Sequence, residues 1–192
     1  MMYFPSVGQC IQFLWILFAA VWLISAFKRK RTKQRESVGQ RFTYVLPILI
    51  GWLIMNGQIL PGRWFRTRFL PGTDTIAWTG VVLTALGIAF AFWARFHLGS
   101  NWSGVVTLKE NHELIRTGPY RTVRHPIYSG ILLALIGTAV AIGEIRALVA
   151  VAVIWISFYI KARREESLLS TEFGPRFAEH QQHTGMFFPH FG

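Results

Sequence analysis

Residues 7–27 read VGQCIQFLWILFAAVWLISAF, a stretch with no charged side chain, closed by Lys28-Arg29-Lys30-Arg31. A helix crosses roughly 30 Å of hydrocarbon in about 20 mostly apolar residues, so this stretch is long enough to span a bilayer. No basic segment precedes it and no small-x-small cleavage site closes it, a poor fit to a secretory signal. It reads as a retained membrane helix. Further apolar runs follow at 43–60, 76–96, 127–142 and 147–160. Pro47 is expected in the first turns of the second run, where a missing N–H matters least. Pro61-Gly62 and Pro71-Gly72 mark turns at the two ends of the loop between the second and third runs. Gly143-Glu144 is a tight connection, so the last two runs read as a helical hairpin. The pattern predicts an all-α integral membrane protein with about five transmembrane helices, forming a single membrane domain over 1–192.

Composition agrees. Of 192 residues, 52% are hydrophobic and 15% charged, against about 25% charged in soluble domains. The net charge is +11, but the apolar runs leave no soluble body to carry a nucleic-acid-binding face. Basic residues instead mark the cytoplasmic flanks of membrane helices. With the C-terminus inside, segments 28–41, 95–125 and 161–192 hold 7, 5 and 4 Lys or Arg, which is 16 of the 20. Arg63, Arg66, Arg68 and Arg146 fall outside, the first three flanking Trp64 and Phe65 in an expected interfacial belt. The run from Lys28 to Arg41 reads as a solvated cytoplasmic loop.

Several chemistries lack their residues. A single cysteine, Cys10, makes neither an internal disulfide nor a zinc site. There is no Walker lysine motif, no G-x-G-x-x-G and no H-E-x-x-H. The sole aspartate, Asp74, lies on the outer side, away from any Ser-His pair. His112, His180, His183 and His190 lack helix-compatible ligand spacing with a carboxylate beside them, so no metal is expected.

The polar residues concentrate in 97–128 and 161–180, which the topology puts on one side. In Arg124-His125-Pro126-Ile127-Tyr128-Ser129-Gly130, proline disfavours helix before it and suits the first helical position. His125 therefore sits at the start of the fourth helix, where free N–H groups and the dipole favour an anion. Tyr128 lies one turn on and faces the same way. Gly130 permits close approach of a helix or ligand. Interfacial anchoring accounts for Arg124, His125 and Tyr128 equally well. Glu165 and Glu166 are about 100° apart on a helix, so at most one faces a given site squarely. Lys161 lies four residues before Glu165, on the same face.

Taken together, Thr117-Gly118-x-Tyr120, Arg124-His125-Pro126-x-Tyr128-x-Gly130 and Glu165-Glu166 followed by Phe173-Gly174 resemble the core of the isoprenylcysteine carboxyl methyltransferases. Phospholipid N-methyltransferases share a similar core. The resemblance covers about 95–190, within a core expected over 76–192 behind two N-terminal spans and the basic loop in 1–75. It implies a cytoplasmic S-adenosyl-L-methionine pocket. Its contacts would be His112, Glu113, Leu114, Ile115, Tyr120, His125, Pro126, Ile127, Tyr128 and Glu165. Asn101-Trp102-Ser103 also looks family-like, without an implied role. The resemblance places an arginine, associated with the substrate carboxylate, where this chain has Lys161. Lysine keeps the charge and loses the bidentate fork. Lys161 is the candidate to orient a carboxylate acceptor. The implied reaction is methyl transfer to a lipophilic or membrane-associated carboxylate, amine or thiol, with a small molecule or lipid as substrate and membrane lipids as surroundings. Two alternatives remain at this stage. Sterol-reductase-type enzymes, which use a nicotinamide cofactor, have a similar R-H-P-x-Y-x-G element but about twice as many spans. A non-catalytic scaffold would keep the same helices.

Overall fold

A computed structural model describes residues 6–25, 32–35, 37–102, 106–109 and 113–190. The helices α1 (Val7–Ser25), α2 (Val38–Met55), α3 (Asp74–Leu98), α4 (Pro126–Ile142), α5 (Ile145–Phe173) and α6 (Pro175–Gln182) carry the fold. Among them, α1, α2, α3 and α5 are long and apolar enough to cross a membrane. At 17 residues, α4 is at the short end of the roughly 17–25 residues that a crossing takes. Large side chains such as Leu23, Ile24, Leu86 and Trp93 stay more than half exposed, as lipid-facing residues of a multi-pass membrane protein do.

One helix departs from the sequence expectation, and two other elements add detail to it. The second helix starts at Val38 rather than 43, because Ser37 and Gln40 form a reciprocal capping box. Pro47 therefore lies well inside the helix, not in its first turns. The helical stretch expected around Lys161, Glu165 and Glu166 is continuous with the fifth apolar run: residues 161–173 contain neither Gly nor Pro and are rich in good helix formers. α5 thus continues about 20 Å beyond its apolar part, until Gly174 with φ 50° ends it. The basic loop also carries an element the apolar pattern did not indicate. Strand β1 (Thr32–Arg35) pairs antiparallel with β2 (Thr107–Lys109), a small ribbon added to the otherwise helical fold.

The expected hairpin of the last two helices is present, joined at Gly143-Glu144, although α4 packs more extensively on α3 than on α5. Gly80, Thr84, Gly87 and Ala91 of α3 meet Ala141, Gly137, Ala134 and Gly130 of α4 in antiparallel order. A Cβ on Gly87 would stand 2.3 Å from the Ala134 nitrogen, and one on Gly137 2.4 Å from the Thr84 nitrogen. The backbones touch, which is how membrane helices gain van der Waals contact without a hydrophobic driving force. Gly130 accordingly admits a helix. This alignment runs α4 across the same depth as the 80–94 part of α3. α2 packs on α5, with Gly51 against Ile154 and the Ser157 hydroxyl donating to the Tyr44 carbonyl at 2.5 Å.

The two ends of the bundle are tied differently. At one, Phe69 N–H donates to the Gly143 carbonyl at 2.9 Å and Ile145 N–H to that of Thr67 at 3.0 Å. Arg146 pairs with Glu144 at 2.5 Å and donates to the Met55 carbonyl. Arg68 donates to Leu70 at 3.0 Å. Arg68 and Arg146 are thus loop staples, while Arg63 and Arg66 sit in a 3-10 turn with Trp64 edge-on to Phe65. At the other end, Arg95 donates to Ser25 at 2.6 Å and to Gly99 at 3.0 Å, and Arg164 donates to the Gln40 carbonyl. This end gathers the close of α1 and α3, the start of α2 and α4, and the polar half of α5.

Candidate active site

His125 is the residue before α4, and Pro126 is the first residue of that helix. Both sit where the X-Pro geometry put them. The chain tail locks this helix start from behind. Arg124 N–H donates to the Gly185 carbonyl at 2.9 Å and His125 N–H to that of Met186 at 3.0 Å. The Ser129 hydroxyl donates to Phe187 at 2.6 Å. The aromatic tail thereby acquires a place: the Phe187 ring stands edge-on to His125 and Tyr128.

Both adjacent glutamates reach His125. Nδ1 lies 3.4 Å from Glu165 and Nε2 3.3 Å from Glu166. Their other partners separate them. Glu166 is pinned by Arg124 at 2.7 Å and accepts from Gln181 at 3.3 Å. Glu165 accepts from the Tyr128 hydroxyl at 2.7 Å and faces a cleft. Tyr128 is sandwiched, stacked on His125 at 5.4 Å and on Phe158 at 4.9 Å. The Lys161 ammonium lies 5.3 Å from the Tyr44 ring and 5.4 Å from that of Tyr128.

The cleft encloses a cavity of about 180 Å³ that opens to solvent at its mouth. Glu113, Leu114, Ile115, Tyr120, His125, Ile127, Tyr128, Lys161 and Glu165 all line it. Pro126 is buried behind the lining, and His112 lies outside the described residues, as does Ser103. The sequence reading missed Trp22, Arg124, Leu168, Leu169, Phe177 and His180, which also line the cleft, and assigned no role to Asn101 and Trp102, which do too. Leu168 and Leu169 were legible in principle, at three and four residues from Glu165 on one helix face. Trp22 carried no local signal: it reaches the cleft because α1 packs edge-on against Trp102 at 5.1 Å.

Tyr120 is held in a turn that requires glycine. Gly118 has φ 57°, and a Cβ there would lie 2.6 Å from the His97 ring. His97 in turn stacks on Tyr120 and bonds Thr117 at 2.9 Å. Burial, reinforced by Glu165 and opposed by Arg95, pushes the Tyr120 phenol far above its usual range, so it stays a neutral donor, bonded to the Ala94 carbonyl at 3.4 Å.

Burial by itself would drive His125 toward its neutral form. The carboxylates of Glu165 and Glu166 outweigh it and raise the pKa above 6.5. His125 is therefore a stabilising cation below the unfolded value of about 6.5. That contribution is lost as pH rises through the higher folded value. The thermal midpoint of the wild type should exceed that of His125→Gln most at mildly acidic pH, with the gap narrowing as pH rises. Thermal unfolding in detergent across pH 6–9 checks this; a gap that widens with pH would refute the assignment.

Comparison with known proteins bears on the family and the fold. The sequence profile of the family described as phospholipid methyltransferase matches residues 75–176. Protein-S-isoprenylcysteine O-methyltransferase B of Arabidopsis thaliana is 29% identical over 72% of this chain and 70% of its own. The protein-S-isoprenylcysteine O-methyltransferase of Mus musculus is 30% identical over 84% of this chain and 57% of its own. A solved structure of a eukaryotic intramembrane Ras methyltransferase, isoprenylcysteine carboxyl methyltransferase, superposes with a TM-score of 0.60 at 23% identity, over 76% of this chain and 52% of that one. The chain therefore spans between about half and 70% of the length of these relatives, and the solved structure supports the all-helical membrane fold.

Proposed function

The chain belongs to the phospholipid methyltransferase family, and on that premise we propose that it transfers a methyl group from S-adenosyl-L-methionine to a lipophilic, membrane-associated acceptor. The observation that carries this reading is that 113–115, Tyr120, His125, Ile127, Tyr128 and, from a helix more than thirty residues further on, Lys161 and Glu165 line one shared cleft. The donor set suits the cofactor. A carboxylate (Glu165) and cations (Lys161, Arg124) match a zwitterionic amino-acid moiety, and Trp22, Trp102, Leu168 and Phe177 match a flat heteroaromatic one. When bound, the cofactor supplies a methyl group on a sulfonium centre. The chain's own task is alignment and exclusion of water. Tyr128 and His125 hold Glu165 in one orientation for a cationic partner. The backbone and side chains of 113–115 close one wall. Lys161, held over two aromatic rings, offers a point charge to an anionic acceptor.

The purified protein in lipid nanodiscs should bind S-adenosyl-L-methionine by calorimetry and give no heat with NADPH; the reverse pattern would reject this reading. We also place the cleft on the cytoplasmic side, supported by the 16 basic residues of the inside segments. A cysteine at position 30 in a Cys10→Ser background should react with an impermeant maleimide from the cytoplasmic face alone.

A further inference from the structure

Trp22 and Trp102 reach the cleft from α1 and from just past α3. α1 has no buried residue, so its own packing does little to fix Trp22. Arg95 lies between the two. It occupies the last turn of α3 and is 3% exposed. Nη2 donates to the Ser25 carbonyl at 2.6 Å and Nη1 to the Gly99 carbonyl at 3.0 Å, while the guanidinium carbon stands 4.2 Å from the Trp102 ring centroid. Each carbonyl belongs to the turn of one tryptophan. The Ser25 hydroxyl donates to the Trp22 carbonyl at 2.9 Å, and the Trp102 N–H donates to the same Gly99 carbonyl at 3.4 Å. The two indoles then meet edge-on at 5.1 Å. α1 and α3 both close at this end, so the negative ends of two helix dipoles converge on the guanidinium. A charge buried at the end of a membrane segment is costly and ordinarily marks a site.

Resting on the proposed cofactor binding, we infer that Arg95 is a positioning residue that sets Trp102, and through the end of α1 Trp22, as one preformed wall of the cleft. Arg95 does not itself line the cleft, so it acts through the two indoles. The planar guanidinium is what this task needs. It sends N–H groups in two fixed directions and still covers a ring. A lysine ammonium keeps the charge, but its compact head does not reach both carbonyls while covering the indole. A wall ordered before the ligand arrives saves the cost of ordering it on binding. Loss of Arg95 is therefore expected as weaker cofactor binding, carried by Trp102.

The test uses the full-length protein in nanodiscs. 5-Fluorotryptophan labels all eight tryptophans, and Trp102→Phe identifies the Trp102 fluorine resonance. With no ligand added, Arg95→Lys and Arg95→Gln should each move that resonance by more than its line width. Calorimetry with S-adenosyl-L-methionine should show Arg95→Gln losing about tenfold or more in affinity, but less than about threefold in a Trp102→Leu background, because residues acting as one unit are non-additive. Arg95→Lys should not restore binding, and it carries the same cycle if Arg95→Gln does not fold. An unmoved Trp102 resonance, cofactor affinity unchanged in Arg95→Gln, or wild-type affinity in Arg95→Lys would each overturn the inference. Equal losses in the two backgrounds would also overturn it, making Arg95 a general prop of the fold. Failure of the wild type to bind S-adenosyl-L-methionine would instead reject the proposed function, and the fluorine spectra would still decide whether Arg95 places Trp102.

Discussion

Glu165→Gln should reduce S-adenosyl-L-methionine affinity by about 100-fold or more, leaving the protein folded. The substitution keeps shape and one acceptor oxygen and removes the charge. The Tyr128 hydroxyl and His125 both aim at this carboxylate, at 2.7 and 3.4 Å, so its position toward the cleft is fixed before any ligand arrives. Truncating one partner of a buried, hydrogen-bonded charge pair in a binding site costs about 2–5 kcal/mol of binding, and each 1.4 kcal/mol is about tenfold in affinity. Calorimetry reads the loss, and circular dichroism reports whether the helices persist. His125→Ala should behave alike, because it removes the group that holds Glu165. Glu166→Gln is the contrasting variant. Glu166 is tied to Arg124 and Gln181 and is not part of the cleft lining, so its loss should lower the thermal midpoint more than it lowers affinity. Affinity within threefold of wild type for both Glu165→Gln and His125→Ala would remove the site assignment.

The second large effect is structural. Gly87→Val should leave little folded protein. The new Cβ would meet the Ala134 nitrogen at 2.3 Å and the Gly130 carbonyl oxygen at 2.6 Å. Both are backbone atoms of α4, so relief requires the two helices to separate. Overpacking ordinarily costs about 1–3 kcal/mol and occasionally more, and a clash with rigid backbone belongs at or above the top of that range. Separation would also shift the α4 start, and with it His125. Gly39→Ala is the control, since nothing lies within 4 Å of a Cβ there. Size-exclusion profiles and thermal scans of the two variants should differ sharply. A monodisperse Gly87→Val with an unchanged midpoint would show that this helix contact is not what holds the bundle.

Much of the site was readable as motif and little as geometry. The Arg124–Gly130 motif placed His125 before a helix because proline acts on its neighbours alone. The choice between Glu165 and Glu166 could not be read the same way. Helical spacing says only that they diverge, and both in fact reach His125, from opposite ring nitrogens. The contributions of Trp22 and His180 depend on how α1 and α6 pack, which no local pattern encodes. The tail was noticed as aromatic, but its role in bracing the α4 start comes from pairing with residues some sixty positions earlier.

The apolar runs by themselves determined that this is a helical membrane protein, and roughly where its helices lie. The reason is local: in hydrocarbon each segment must satisfy its own backbone hydrogen bonds, so apolar length alone specifies a helix. Tertiary structure decided which helices are partners. Lipid is as apolar as the side chains, so hydrophobicity cannot select among helix faces, and steric fit does. Gly80, Gly87, Gly130 and Gly137 allow α3 and α4 to touch, a partnership that the short Gly143-Glu144 link between α4 and α5 does not reveal. That contact brings the His125 end of α4 and the Glu165 face of α5 to one cleft.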